Sequence, residues 1–315
     1  MKLIVQIPCY NEEKTLLSVL EEIPKKIPWI TLIETMVIDD GSSDNTLTIA
    51  SEFWVHHIIQ LKKNSGLGNA FRIWVEKALL AWADILVNTD GDNQYPGKYI
   101  EKLVLPLLEW KADIVMWDRQ TKTIEHFSLL KKFFQYFGSA LVRYFSGTKV
   151  PDSVSGFRAY SRESLLKLNI TSSFSYAVDT LVQAGNKSLK IDSVKITTNK
   201  PTRPSRLFSN MWQHMAKTFS ILFRVYAMYH PMKLFFTFAF PFFLVGLFGV
   251  TRFLYYYYLF PQNTGKIQSL LLSGVCLIIA IQLFALGIVG DLIAKNRKLT
   301  EDQLYISKKL YFDRK

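Results

Sequence analysis

The chain has 315 residues and only two cysteines, Cys9 and Cys276, far apart in sequence. That excludes a disulfide framework and fits a reducing compartment for the main domain. No G-x-G-x-x-G follows the first apolar run, and G-x-x-x-x-G-K-[ST] occurs nowhere. Both a dinucleotide fingerprint and a P-loop are therefore disfavoured. The opening residues MKLIVQIPCYNEE turn polar too early for a signal peptide. Acidic residues are the minority, 26 against 38 Lys and Arg, for a net charge of +12. That balance suits nucleic acid, an anionic membrane surface or phosphorylated ligands. No nucleic-acid-binding motif accompanies it, and much of the charge flanks apolar segments, so nucleic acid is not an expected partner.

Charge is scarcest after residue 233. Two apolar segments follow, Leu234 to Phe260 and Leu270 to Val289. A spanning helix needs roughly 20 apolar residues, and both qualify. The short connection from Pro261 to Lys266 predicts a helical hairpin. Arg252, the one charge in the first segment, lies close to Tyr255, Tyr256, Tyr257 and Tyr258, a composition that anchors at the membrane interface. Only Lys266 marks the hairpin tip. Lys217, Arg224 and Lys233 precede the hairpin, and Lys295, Arg297, Lys298, Lys308, Lys309, Arg314 and Lys315 follow it. The positive-inside rule then places the large domain and the tail in the cytoplasm, at a cell membrane crossed more than once. Leu207 to His230 reads as an amphipathic helix on the membrane or as an ordinary packing helix. The expected division is a catalytic-size domain over 1–206, a juxtamembrane region 207–232, two spans within 233–290 and a basic tail 291–315. Gly246, Gly249, Gly287 and Gly290 form no G-x-x-x-G pair, and homo-oligomerisation stays open.

The N-terminal part alternates strand and helix patterns. Leu3–Pro8, Leu32–Ile38, His57–Leu61, Ile85–Thr89 and Ala112–Trp117 read as strands. Glu12–Ile23, Gly68–Ala83 and Lys98–Glu109 read as helices. The βαβαβαβ order predicts an α/β fold with a mostly parallel sheet between helices. Ligands of such sheets sit beyond the carboxyl ends of the strands. Three polar clusters fall there: Tyr10-Asn11-Glu12, Asp39-Asp40-Gly41-Ser42 and Asp90-Gly91-Asp92.

Asp90 and Asp92 flank a glycine in a turn, with Gln94 two residues on. Mg²⁺ and Mn²⁺ take oxygen ligands, and Mg²⁺ needs only one or two carboxylates beside phosphates and water. Asp92 and Gln94 supply two such oxygens, while Asp90 reaches the metal through water or holds a sugar. A diphosphate on that ion becomes a better leaving group. Asp39 and Asp40 are candidates for a base or ribose, and Asp44 for a helix N-cap.

Four motifs carry a family resemblance: Ile7-Pro8-Cys9-Tyr10-Asn11-Glu12-Glu13, Val37-Ile38-Asp39-Asp40-Gly41-Ser42-Ser43-Asp44, Asp90-Gly91-Asp92-Asn93-Gln94 and Asp152-Ser153-Val154-Ser155-Gly156-Phe157-Arg158. With these the chain resembles family 2 inverting glycosyltransferases of the GT-A fold, in particular the dolichyl-phosphate or polyprenyl-phosphate sugar synthases. The hairpin and the run Gly290 to Arg297 resemble their membrane-anchored branch. The resemblance implies that Pro8, Tyr10, Glu12, Ile38 and Asp40 hold the nucleotide. It implies that Asp90 and Gly91 line the donor diphosphate and sugar, and that Asp92 and Gln94 bind Mg²⁺ or Mn²⁺. Arg119 matches an arginine facing the phosphates, and Lys200 and Arg206 a basic segment closing over the donor. Lys131 and Gln135 stand where the family usually has Arg and Ser facing the acceptor phosphate. Lysine keeps the charge without the bidentate fork.

The implied reaction moves a hexose from GDP-mannose or UDP-glucose to dolichyl or polyprenyl phosphate, in one in-line displacement. Asp152 is the candidate base or acceptor-orienting group. Arg119, Lys131 and Arg158 form a cationic set that draws two anionic substrates together. The alternatives are transfer to a hydroxyl of a glycolipid or lipid-linked oligosaccharide, and a non-catalytic membrane scaffold that keeps the fold.

Overall fold

The computed structural model describes residues 1–62, 66–118, 142–143, 146–148, 155–170, 176–197, 199, 219–220, 223–259 and 267–313. The chain divides into two compact units, Met1–Leu222 with Leu304–Lys315, and Phe223–Gln303.

The first unit carries β1 (Lys2–Cys9), α1 (Leu16–Glu21), β2 (Leu32–Asp39), α2 (Thr46–Glu52), β3 (His57–Gln60) and α3 (Leu67–Leu80). It continues with β4 (Ile85–Asn88), α4 (Ile100–Leu108), β5 (Ile114–Asp118), β6 (Arg158–Ser161), α5 (Arg162–Lys167), α6 (Tyr176–Asn186) and β7 (Ile191–Lys195). The sheet order is β3-β2-β1-β4-β6-β5-β7. β1, β2, β3 and β4 run parallel, as does β5 with β7, while β6 lies antiparallel between β4 and β5.

β1 shows why the strands form. Leu3, Val5, Ile7 and Cys9 alternate onto one face and pack with Leu16, Val19 and Leu20 of α1 and Leu103 and Leu107 of α4. The intervening residues Ile4 and Gln6 are equally buried on the other face, so helices cover both sides of the sheet. An aromatic group fills that second side: Phe71 stacks on Tyr176 at 4.6 Å and meets Trp74 edge-on at 5.0 Å.

Two expectations change. The helix expected from Glu12 begins at Leu16. Asn11 is left-handed at φ 55°, and the N–H groups of Glu12 and Glu13 donate to Thr46 Oγ1 and Asp44 Oδ2 instead of entering a helix. The antiparallel β6 was not foreseen, because Arg158-Ala159-Tyr160-Ser161 is too short to show a period.

Three helices end in an unusual way. Trp54, Trp82 and Trp110 stand one residue past the C-caps of α2, α3 and α4, with φ of 58°, 58° and 57°. Each makes the paired bonds of a Schellman motif; Trp82 N–H donates to Leu79 O and Ala83 N–H to Ala78 O. Glycine is the usual residue there, since a Cβ is strained in this conformation. The rings of Trp54 and Trp110 are 88% and 79% exposed, so packing does not repay the strain.

The second unit contains helical residues 223–229, α7 (Pro231–Leu259) and most of α8 (Ile267–Asp313). α7 and α8 are each long and apolar enough to cross a membrane. They pack antiparallel through their glycines. A Cβ on Gly249 would collide with Ser273 Oγ, one on Gly246 would stand 2.7 Å from Leu277 Cγ, and one on Gly290 2.8 Å from Pro231 Cβ. The small residues thus serve the seam inside the hairpin. The last residues of α8 belong to the first unit. There Tyr305 Oη donates to Glu163 Oε1 at 2.8 Å, Lys308 Nζ to Asn169 Oδ1 at 2.6 Å, and Arg162 pairs with Asp313 at 3.2 Å.

Candidate active site

The carboxyl ends of β1, β2 and β4 lie side by side, so the loops that follow them meet. The first two are laced together. Asn11 N–H donates to Ser42 Oγ at 2.9 Å, Ser43 N–H to Asn11 Oδ1 at 2.8 Å, and Asp40 N–H to Cys9 O at 2.9 Å. Partial burial works against the Asp44 carboxylate. Even so, bonds from the Thr46 hydroxyl and from the Glu13 and Thr46 N–H groups hold its pKa below the ordinary value. Asp44 therefore ties α2 to the first loop, while the N-cap position itself is Asn45.

The turn after β4 fits under the first loop. Thr15 Oγ1 donates to Gly91 O at 2.7 Å. A Cβ on Gly91 would stand 3.2 Å from Pro8 O, 3.3 Å from Glu12 Cγ and 3.4 Å from Cys9 Sγ, tighter than ordinary contact at the first two. Inside the turn, Gln94 N–H donates to Asp92 Oδ1 at 3.2 Å, and Asn93 is left-handed at φ 57°. Among the described residues, no hydrogen-bond donor meets the buried Asn93 carboxamide oxygen.

Pro8, Tyr10, Glu12, Ile38, Asp40, Asp90, Gly91, Asp92 and Gln94 are therefore brought to one edge of the sheet. Their exposure differs. Tyr10 is exposed and Asp40, Asp90, Asp92 and Gln94 are half-buried, whereas Ile38 is wholly buried and presents only main chain. Asp39, considered for a base or ribose, is fully buried and accepts Ser42 N–H on both oxygens at 3.1 Å. It builds the turn. Arg119, Lys131, Gln135, Asp152, Lys200 and Arg206 lie outside the described residues.

Arg158 needs a correction. Grouped with Arg119 and Lys131 as a cation facing substrate, it is instead fully buried. Its guanidinium donates to Ser155 O at 2.7 Å, Ala177 O at 2.9 Å and Thr180 Oγ1 at 2.8 Å. It lies on β6 opposite Asn88, on the face that α6 covers. One further residue had no signal in the sequence. Asn199, directly before Lys200, donates its N–H to Gln94 O at 3.1 Å and its Nδ2 to Asn93 O at 3.0 Å. Asn199 is thereby fastened to the Asp92 turn.

This geometry meets a matching family model. Residues 4–168 match Glycosyl transferase family 2. The chain is a family 2 glycosyltransferase. The family 2 match takes in all four motifs. Among relatives of this glycosyltransferase, a dolichyl-phosphate hexose transferase of Haloferax volcanii is 32% identical over 62% of this chain and 81% of its own length. Glycosyltransferase AglJ of the same organism is 26% identical over 91% of each chain, a span too long to stop short of the apolar C-terminal helices. Among solved structures, glucosyl-3-phosphoglycerate synthase from Mycobacterium tuberculosis, crystallised with Mn²⁺, uridine diphosphate and phosphoglyceric acid, superposes with a TM-score of 0.55. That match has 21% identity and covers 70% of this chain and 78% of that one, which shows the shared GT-A fold.

Proposed function

We propose that this glycosyltransferase moves a hexose from a nucleotide-sugar, GDP-mannose or UDP-glucose, to dolichyl or polyprenyl phosphate at the cytoplasmic face of a membrane. The observation that carries the reading is Gly91 wedged under Pro8 and Glu12, which sets the Asp90 and Asp92 turn beside the other two loops. The acceptor reading draws on the relatives, one of which is a dolichyl-phosphate hexose transferase. α7 and α8 would hold the enzyme where such a lipid resides, and the Lys and Arg flanks favour the cytoplasmic orientation. The functional division is a catalytic domain over 1–206, a juxtamembrane region 207–232, two spans within 233–290 and a basic tail 291–315.

In this reading Tyr10, Glu12 and Asp40 hold the nucleoside, with Pro8 and Ile38 shaping its floor. Asp90 and Gly91 face the diphosphate and sugar. The donor set suits Mg²⁺ or Mn²⁺: Asp90, Asp92 and Gln94 offer oxygens, and the Asn93 oxygen beside them meets no donor among the described residues. Among the described residues no three His, Cys, Asp or Glu side chains converge, which fits an ion completed by phosphates and water. When bound, that ion neutralises the charge developing on the leaving diphosphate. Arg119, Lys200 and Arg206 face the phosphates, and Lys131 and Gln135 with Arg119 receive the acceptor phosphate. A lipid monophosphate is largely ionised at neutral pH, so Asp152 orients it more than it deprotonates it. Displacement at the anomeric carbon inverts the configuration.

The experiment incubates the full-length protein in detergent with each radiolabelled donor, undecaprenyl phosphate and Mg²⁺ or Mn²⁺, and reads label in the lipid phase. Transfer that chelation or Asp92→Ala abolishes is the expected result. Full transfer by Asp92→Ala would falsify the metal assignment. Label entering only a glycolipid acceptor would replace phosphate by hydroxyl, and no transfer with any donor would favour the scaffold.

A further inference from the structure

We propose that Asn88 and Tyr176 are positioning residues for the Asp90 carboxylate, acting through Gly156. Asn88 ends β4, two residues before Asp90. Its Nδ2 donates to Gly156 O at 2.6 Å and to Tyr176 Oη at 3.0 Å, so both amide protons are engaged. A carbonyl can only accept, which orients the carboxamide without ambiguity.

Gly156 in turn stands against Asp90. A Cβ there would lie 3.1 Å from Asp90 Oδ1, 3.3 Å from Oδ2 and 3.4 Å from Tyr176 Oη. The Gly156 backbone therefore forms a wall for the carboxylate. That wall is pinned twice, by Asn88 at Gly156 O and by Arg158 Nε at Ser155 O. Tyr176 is itself immobilised, stacked on Phe71 at 4.6 Å and edge-on to Trp74 at 5.3 Å. Burial pushes its phenol well above the ordinary pKa. The hydroxyl thus stays neutral and can hold Asn88 as an acceptor while its proton points elsewhere. None of these residues needs to touch the donor. They restrict the orientations open to Asp90, and the rate responds because catalysis depends on charges set in place beforehand.

The proposal rests on Asp90 facing the donor, as in the function proposed above. Its test compares Tyr176→Phe, Asn88→Leu, Asp90→Asn and Tyr176→Phe/Asp90→Asn in the full-length protein. Turnover is measured with UDP-glucose and GDP-mannose on undecaprenyl phosphate, and folding by thermal melts. Both single variants in the network should lower kcat about tenfold, the worth of a hydrogen bond, with donor KM near wild type. The double variant should be no slower than Asp90→Asn alone, because the network then has nothing to position. Asn88→Leu is an independent arm should Tyr176→Phe melt early. Unchanged kcat in both single variants, or additive losses in the double variant, would overturn the proposal. Asp90→Asn at full rate would instead remove the reading of Asp90 beneath it, an outcome the single-variant control reveals by itself.

Discussion

The Thr15 hydroxyl donates a 2.7 Å hydrogen bond to the Gly91 carbonyl, across 76 residues of sequence. It joins the loop after β1 to the turn that carries Asp90 and Asp92. Thr15→Val removes the donor at nearly constant shape and should cost about 1 kcal/mol of stability. Donor kcat/KM should fall with it, and Thr15→Ser should restore both. Chemical denaturation and steady-state kinetics read the two effects; equal behaviour of the Val and Ser variants would count against the bond.

Gly91 has no room for a side chain. Gly91→Ala places a methyl against Pro8 O and Glu12 Cγ, and relief requires the two loops to part. Overpacking of this kind costs about 1–3 kcal/mol. The melting temperature should drop and nucleotide-sugar affinity should weaken, as titration calorimetry would record. A variant that binds donor normally would show the loops to be more compliant than the contacts imply.

Trp54 and Trp110 occupy positions that suit glycine. Each is left-handed past a helix end with an exposed ring, so the substitution relieves Cβ strain and removes little packing. Trp54→Gly and Trp110→Gly should each stabilise the fold by up to about 1 kcal/mol. Rising melting temperatures are the expected readout, and a fall in both would mean that the rings do more than cap a helix.

Asp44 makes the lacing of the first two loops dependent on acid. Its folded-state pKa lies below the ordinary value, so the unfolded chain takes up its proton first as pH falls. The stabilisation is complete above about pH 4 and disappears as pH drops through the folded pKa. Wild type should outlast Asp44→Asn in thermal melts at pH 7, with the gap closing below about pH 4. A gap that widened on acidification would reverse the sign and reject the assignment.

Gly249 lets α7 and α8 touch. Gly249→Leu cannot be seated beside Ser273, so the helix pair must separate or shift register. Cysteines placed at Gly246 and Leu277 should cross-link readily in the otherwise wild-type protein and poorly in Gly249→Leu. Equal cross-linking in both would show another surface to hold the pair.

Much of the fold was legible because its signals are local. The near-continuous run Leu3, Ile4, Val5 and Ile7 marks a strand buried on both faces, and the two apolar segments mark helices long and apolar enough to cross a membrane. The Asp90 turn was legible too, because Asp-Gly-Asp is a short contiguous string. The antiparallel β6 was not, since four residues carry no readable period and its partners β4 and β5 lie far away in sequence. Arg158 was misjudged for a related reason. Sequence supplies its charge, but only the packing of α6 over β6 turns that charge away from solvent and onto the carbonyls of Ser155 and Ala177.

What the sequence determined alone was the class of protein: alternating strand and helix patterns, polar residues at strand ends, and two apolar stretches too long and too poor in charge for ordinary core helices. Tertiary structure decided which of those polar residues share a place and in what state. It buried Asp39 within a turn, seated Gly91 beneath Pro8, fastened Asn199 to the Asp92 turn and placed Gly156 against Asp90. These are contacts between residues remote in the chain. Their distances follow from how strands are ordered and helices packed, and local patterns of side chains do not encode that order.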